Sequence, residues 1–326
     1  MMKKIITLVL ALAMAVSLFT GCGKKNNAET GESDSNKLSV VTTIFPEYDW
    51  VREILGGKAE STDLTMLLDN GVDLHSYQPT ADDIVKISDC DLFVYVGGES
   101  DGWVESVLKN AANKKMKVIN LLDVLGDSVK TEEVVEGMQE EEHDHDHDHE
   151  ADAESDSAHD HDHGDENAHA WMSVPRYRTM VQTIASRLAE KDAKHADEYY
   201  ANAKAYDAKL AVLEEKINSI KSLTNGQNII IFHEAYAYVA DDFSMNACYL
   251  LDLDEERSVS AGEIKQVIGA IKDDGVSVIL AEELYGKSMG DTVSRETDVH
   301  VIYIDPLNRG EYDKDSYLYG MEHNIE

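Results

Sequence analysis

The stretch that decides the fold reads VPRYRTMVQTIASRLAEKDAKHADEYYANAKAYDAKLAVLEEKINSIKSL and runs from Val174 to Leu223. It contains no glycine, and its one proline, Pro175, lies at its very start. Apolar side chains recur there at helical spacing, at Met180, Val181, Ile184 and Leu188 and again at Leu210, Leu213, Ile217 and Ile220. A single straight helix of this length would span about 70 Å, which is too long for a compact protein of this size. We therefore predict a break near Asp192 and a second helix, about 196–222, that joins two halves of the chain.

On the N-terminal side of this stretch, β-branched runs alternate with helical segments. The predicted strands are 37–43, 62–68, 92–96 and 117–120, and the predicted helices are 47–55, 80–87 and 103–111. Thr80 is the expected N-cap of the second of these helices, because Asp83 follows three residues later. This alternation is typical of a parallel sheet with helices on its faces.

The C-terminal side repeats the alternation. The predicted strands are 228–232, 244–251, 276–280 and 299–304. The predicted helices are 260–272, 287–296 and 315–322, and a short helix or turn is predicted over 233–240. Ser260 and Glu263 have the spacing of a capping box. The fold class predicted from these patterns is α/β, with two lobes, 38–173 and 223–326, joined by the helical segment 174–222.

The beginning of the chain has the form of a secretory signal. Lys3 and Lys4 precede the apolar run 5–19, which is too short for a membrane-spanning helix. The run ends in LFTGC, residues 18–22, which resembles the bacterial lipobox. We therefore predict a signal peptide over 1–21, lipidation of Cys22 and a flexible tether over 22–37, which would place the protein on the extracytoplasmic face of the cell membrane.

Charge restricts the possible partners. The formal net charge is −35 at pH 7, which argues against binding to nucleic acid or to an acidic membrane surface and is compatible with cations. Beyond Cys22, the cysteines are Cys90 and Cys248, one in each half. We interpret both as buried apolar residues rather than as a disulfide.

An acidic, histidine-rich segment separates the N-terminal alternation from the long helical stretch. Residues 132–166 hold seventeen acidic side chains and no lysine or arginine, which predicts a disordered loop over about 130–166. Imidazole interleaved with carboxylate attracts divalent cations, so we interpret the loop as an auxiliary collector of metal ions. The alternative is a solvated acidic run with incidental histidines. The candidate histidines are His143, His145, His147, His149, His159, His161 and His163.

Four side chains outside that loop are candidate metal ligands. His75 follows the second predicted strand, His233 follows the strand 228–232, and Asp305 follows the strand 299–304, while His169 precedes the long helical stretch. Ligands of open parallel sheets bind beyond the carboxyl ends of strands, so these residues could meet between the two lobes. Each also has an ordinary structural interpretation, as a hydrogen-bonded histidine or as a turn aspartate before proline.

The motifs around these residues resemble those of a known family. They read HSYQPT from His75, HAWMS from His169, HEAYAY from His233 and IDPL around Asp305. In this order they are similar to the metal-site motifs of zinc-binding proteins of ABC importers, a cluster that also contains manganese binders. The resemblance covers nearly the whole chain after Leu38.

This resemblance implies two α/β lobes bridged by a long rigid helix, with one metal ion in the cleft. It implies that His75, His169 and His233 are nitrogen ligands and that Asp305 is a fourth, oxygen ligand that water can replace or supplement. Similar manganese binders have a carboxylate where this chain has His233, and three imidazoles with one carboxylate suit zinc better than manganese. Glu282 is either a support for the ligands or a surface carboxylate.

The function expected from this resemblance is that of a lipid-anchored, monomeric receptor that captures Zn²⁺ and delivers it to an ABC permease and its ATPase. It would not be an enzyme. The alternatives are a manganese receptor of the same family, a surface adhesin or metal buffer, and a zinc hydrolase, since three histidines with an open position also describe catalytic zinc. The hydrolase interpretation lacks an identifiable general base near the ligands, and its site would be closed by Asp305. HEAYA also lacks the second histidine of the metalloprotease motif HExxH.

Overall fold

The computed structural model describes residues 37–68, 74–131, 166–253, 257–312 and 316–326. Several predictions concern residues outside these ranges and remain predictions. They are the signal peptide 1–21, the lipidated Cys22, most of the tether, and the loop with His143, His145, His147, His149, His159, His161 and His163.

The N-terminal half forms a parallel sheet of four strands in the order β2-β1-β3-β4. The strands are β1 Ser39–Thr42, β2 Asp63–Met66, β3 Leu92–Tyr95 and β4 Lys117–Asn120. The helices are α1 Phe45–Leu55, α2 Ala81–Asp89, α3 Val104–Asn110 and α4 Leu121–Leu125. The central strand β1 is apolar and pairs on both sides, with Val40 opposite Leu64 and Leu92. The predicted strand and helix alternation is confirmed in this half.

The C-terminal half forms a second parallel sheet, in the order β6-β5-β7-β8. The strands are β5 Asn228–Ile231, β6 Asn246–Leu250, β7 Val278–Ala281 and β8 His300–Tyr303. The helices that follow are α7 Tyr236–Asp242, α8 Ala261–Asp273, α9 Lys287–Glu296 and α10 Tyr317–Ile325. The short helix or turn predicted over 233–240 contains both: residues 232–235 form the turn that carries His233, and the helix begins at Tyr236.

Two long helices connect the sheets. Helix α5 runs over Val174–Lys191 and helix α6 over Ala196–Thr224, so the break predicted near Asp192 is confirmed. The two helices pack against each other, and α6 also packs against α1 and α10. Among the described residues, no helix combines the length and the apolar character that a membrane crossing requires.

An aromatic cluster joins the two halves in the core. Trp50 of α1 stacks on Tyr177 of α5, with ring centroids 3.9 Å apart, and Tyr317 of α10 meets Trp50 edge to face at 5.5 Å. The backbone N–H of Tyr317 also donates to the buried carboxylate of Asp49, at 2.8 Å. Helix α10 is thereby held against helix α1.

The two cysteines in the described residues are free thiols, as expected. Cys90 is fully buried, as predicted. Cys248 is only half-buried, because it lies on the edge strand β6, where its thiol donates to the carbonyl of Ile229 at 3.3 Å. The prediction of a buried Cys248 was therefore wrong in degree.

The ends of the acidic segment lie side by side. Thr131 and Glu166 form an antiparallel bridge, and the backbone N–H of Asn167 donates to the carbonyl of Lys130 at 2.9 Å. We call these four residues the stem. The two ends of the acidic segment therefore meet at one point, next to His169.

Candidate metal centre

His75 lies in the turn between β2 and α2. Its neighbours Leu74 and Tyr77 are buried, and the Tyr77 hydroxyl donates to the carboxylate of Asp83 at 3.1 Å. The His75 side chain is exposed, and its Nδ1 lies 3.2 Å from the hydroxyl of Ser100. Two buried anchors thus hold an accessible imidazole at the carboxyl end of the N-terminal sheet.

His169 lies just before helix α5 and is almost completely buried. A short 3₁₀ turn, Ala170–Met172, follows it, and Ser173 then caps α5 by accepting from the N–H of Arg176. Within this turn the indole N–H of Trp171 donates to the carbonyl of Pro306 at 2.7 Å, so the segment is fixed to the C-terminal lobe as well.

His233 directly follows strand β5 and Phe232 and is 2% exposed. Neither ring nitrogen has a hydrogen-bond partner among the described residues, although both are buried. Burial, followed by the positive charges of His169, His75 and Arg309, holds the pKa of His233 well below its ordinary value of 6.5. His233 is therefore neutral at pH 7, which is the form of imidazole that binds metal ions.

The fold brings these three imidazoles together. Each offers a ring nitrogen, and the three nitrogens lie within 4.8 Å of one another. The ring centroids of His75 and His169 are 5.3 Å apart, and those of His169 and His233 are 5.0 Å apart. Buried polar atoms normally have partners, so the unpaired nitrogens of His233 fit a site that is completed by a cation.

Asp305 is not part of this group. Within the described ranges, the set of side chains that could share one ion contains His75, His169 and His233 alone. Asp305 follows β8 and is exposed, and its carboxylate accepts from the backbone N–H of Leu307 at 2.8 Å. Its role as a fourth ligand therefore stays a prediction.

Two other carboxylates lie next to the imidazoles. Glu234 Oε1 is 3.4 Å from Nδ1 of His169, and Glu282 Oε2 is 3.8 Å from Nδ1 of His233. Glu282 is 8% exposed, which rules out its interpretation as a surface carboxylate and favours its interpretation as a support for the ligands. The negative charge of these carboxylates next to three ring nitrogens favours a divalent cation.

Sequence reasoning missed the polar side chains that hold the ligands. Ser100 contacts His75 from the 3₁₀ turn Glu99–Asp101, and a separation of 25 residues is one that no local pattern reveals. Asn167 contacts His169 through its amide oxygen, at 3.0 Å from the backbone N–H and 3.2 Å from Nδ1. The position of Asn167, two residues before a candidate ligand, was its one available signal.

Comparison with known proteins identifies relatives of this chain. Residues 40–326 match the family described as zinc-uptake complex component A, periplasmic (ZnuA). The chain is 28% identical over 320 residues to the high-affinity zinc uptake system protein ZnuA of Bacillus subtilis strain 168, across 97% of this chain and 94% of that protein.

Other relatives are longer or more distant. The chain is 28% identical over 329 residues to the zinc-binding lipoprotein AdcA of Streptococcus pneumoniae serotype 4, but it spans only 60% of that protein. The crystal structure of the Zn(II)-bound ZnuA-like domain of S. pneumoniae AdcA superposes with a TM-score of 0.68 at 23% identity, over 89% of this chain and 96% of that domain. At this identity, the superposition supports the fold.

Proposed function

The chain belongs to the family of periplasmic zinc-uptake components, and on this premise we propose that it captures Zn²⁺ outside the cytoplasm and delivers it to an ABC permease and its ATPase. The observation that carries the proposal is the convergence of three imidazoles within 4.8 Å. Three imidazole nitrogens with an open fourth position match the coordination that zinc prefers.

In this proposal His75, His169 and His233 are the zinc ligands. They come from the turn after β2, the segment before α5 and the turn after β5, so one ion draws on both lobes. The fourth position is filled by water or by the carboxylate of Asp305, which would have to leave the N–H of Leu307 to reach the ion. The exposed His75 is the ligand that solvent reaches first.

We also propose that lipid on Cys22 anchors the receptor and that the histidine-rich loop raises the local concentration of zinc. The anchor is supported by the lipobox-like LFTGC, and the collector by imidazoles that alternate with carboxylates beside the stem. Mass spectrometry of the mature protein tests the first point: an unmodified Cys22 would contradict it.

Calorimetric titration with zinc tests the cleft assignment. We expect one tight site and several weak ones in the whole chain, and one tight site alone after residues 132–165 are replaced by a short linker. His233→Ala should lose the tight site, because it removes a buried ligand nitrogen. His300→Ala, a change at an exposed histidine of β8, is the matched control and should bind as tightly as wild type.

The opposite pattern would contradict the proposal. If the tight site disappeared with residues 132–165 and survived His233→Ala, zinc would be held by the loop and not by the cleft. Competition with manganese in the same titration decides between the two ions, and we expect zinc to prevail because nitrogen ligands predominate.

A further inference from the structure

We propose that Asn167 is the positioning residue that determines which ring nitrogen of His169 faces the zinc ion. The inference rests on the proposed function, since it concerns how one of the proposed ligands is held. Asn167 is 3% exposed, so solvent does not compete for its amide. It makes hydrogen bonds to His169 and to the turn that carries His233.

The backbone fixes the orientation of the Asn167 amide. Its Oδ1 accepts from the backbone N–H of His169 at 3.0 Å, and its Nδ2 donates to the carbonyl of Glu234 at 3.2 Å. A flipped amide would place a donor against a donor and an acceptor against an acceptor. Because a backbone N–H only donates and a carbonyl only accepts, this assignment does not depend on the state of any side chain.

A fixed amide in turn fixes the proton on His169. Nδ1 of His169 lies 3.2 Å from the same Oδ1 and 3.4 Å from Oε1 of Glu234. Both neighbours are acceptors, so the favourable arrangement has the proton on Nδ1. The lone pair is then on Nε2, which becomes the nitrogen available to zinc. Outer partners of this kind orient metal-bound histidines and raise their basicity.

Asn167 is itself held from both sides. Its N–H donates to the carbonyl of Lys130 at 2.9 Å, and its carbonyl accepts from the hydroxyl of Tyr238 of α7 at 2.7 Å. Because the amide bonds to His169 and to the residue after His233, one rigid side chain sets the separation of two proposed ligands that lie 64 positions apart, 233 minus 169.

Two substitutions separate the parts of this role. Asn167→Asp keeps an acceptor for His169 and loses the donor to Glu234, whereas Asn167→Leu keeps the approximate shape and loses both. We expect zinc affinity to fall by about 10–100-fold in Asn167→Leu and by less in Asn167→Asp. Asn202→Leu is the matched control, because the Asn202 amide also donates to a backbone carbonyl, that of Ile54 at 3.0 Å, but lies away from the site.

Nitrogen-15 NMR spectra of the histidine rings in the zinc-loaded full chain show which ring nitrogen binds zinc. A change in stability alone does not alter this result. In wild type and Asn167→Asp, His169 should bind zinc through Nε2 and keep a slowly exchanging proton on Nδ1. That proton should exchange rapidly in Asn167→Leu. A His169 bound through Nδ1, or unchanged affinity in a folded Asn167→Leu, would overturn the inference.

The two proposals fail in distinguishable ways. Absence of a tight zinc site in the wild-type chain would contradict the proposed function. Tight binding in wild type together with an unchanged Asn167→Leu would contradict the positioning role alone. If Asn167→Leu does not fold, the Asn167→Asp spectrum decides, since its Nδ1 is either protonated or bound to zinc.

Discussion

Two consecutive carboxylates at the end of α7, Asp241 and Asp242, face Arg176 from different environments. Asp242 is buried, and its Oδ1 accepts from the Ser173 hydroxyl at 2.9 Å and from Arg176 at 3.4 Å. Burial raises the pKa of Asp242 to about 6. Asp241 is exposed, and although partial burial opposes the change, hydrogen bonds from Arg176 and the charge of Lys130 lower its pKa. The pKa values of the two carboxylates next to Arg176 are therefore shifted in opposite directions.

These shifts predict opposite effects on stability. Asp242 binds its proton more tightly in the folded state than in the unfolded state. Its contribution to the free energy of unfolding is therefore complete below pH 3.8 and is lost as the pH rises through 6. Asparagine does not titrate, so the variant Asp242→Asn does not lose stability in this way. Relative to wild type, the free energy of unfolding of Asp242→Asn should therefore rise by ~3 kcal/mol across this window, as urea unfolding of the metal-free protein would measure.

Asp241→Asn is the matched control for the pH experiment. The lowered pKa of Asp241 gives stability that is present above pH 3.8 and is lost as the pH falls through its folded pKa. Relative to wild type, Asp241→Asn should thus become less stable with rising pH, opposite to Asp242→Asn. If the free energy of unfolding changed with pH in the same direction in both variants, burial would not control the titration of Asp242.

At the scale of the element, helix α6 carries one buried row of side chains along 29 residues. The row consists of Tyr199, Ala203, Tyr206, Leu210, Leu213 and Ile217. Leu210→Ala should lower the free energy of unfolding by about 2–5 kcal/mol, because it leaves a cavity between α6 and its neighbours. Val212→Ala is the control, since Val212 is 54% exposed, and it should change stability by no more than ~0.5 kcal/mol. If chemical denaturation showed equal losses of stability for Leu210→Ala and Val212→Ala, the assignment of the buried face of α6 would be wrong.

The elements with local signals could be predicted from sequence. Seven of the eight apolar positions used to predict α5 and α6 are buried, and Ile220 is half-buried. The capping boxes at Thr80 and Ser260 were likewise visible, because their partners lie three residues away. Helix ends were less accurate: α10 begins at Tyr317 rather than at residue 315 and extends to Ile325. Its contact with Asp49 is long-range and leaves no local pattern.

At the scale of the whole molecule, the proposed ligands join segments from both lobes, so zinc should stabilise the whole folded chain. At free zinc of 100 times Kd, the gain in unfolding free energy is ~2.7 kcal/mol, which thermal denaturation detects as a higher Tm. His75→Ala should abolish that shift but leave the Tm of the metal-free protein nearly unchanged, because His75 is exposed. His300→Ala should retain it. A zinc-induced shift that persisted in His75→Ala would contradict the three-histidine site.

Parallel topology made the positions of His75 and His233 predictable, because each follows a strand and so lies at the carboxyl edge of its own sheet, whereas His169 precedes helix α5 and no strand places it. The position of Asp305 could not be read in this way. Its backbone pairs with the side-chain amide of Asn324, and Leu307 adopts a φ of 57°. These contacts turn the carboxylate toward its own loop. The sequence predicts that Asp305 lies in the loop after β8, but it does not predict the backbone conformation of that loop or the direction of the carboxylate.

The stem has a consequence for how genes of this kind can change. Because Thr131 and Glu166 pair directly, we expect residues inserted or deleted between them to leave His169 in place. Doubling a loop costs only ~0.6 kcal/mol in closure entropy. Slippage of the DNA that encodes the His-Asp repeats can thus vary the number of imidazoles from strain to strain while the neighbouring architecture is inherited intact.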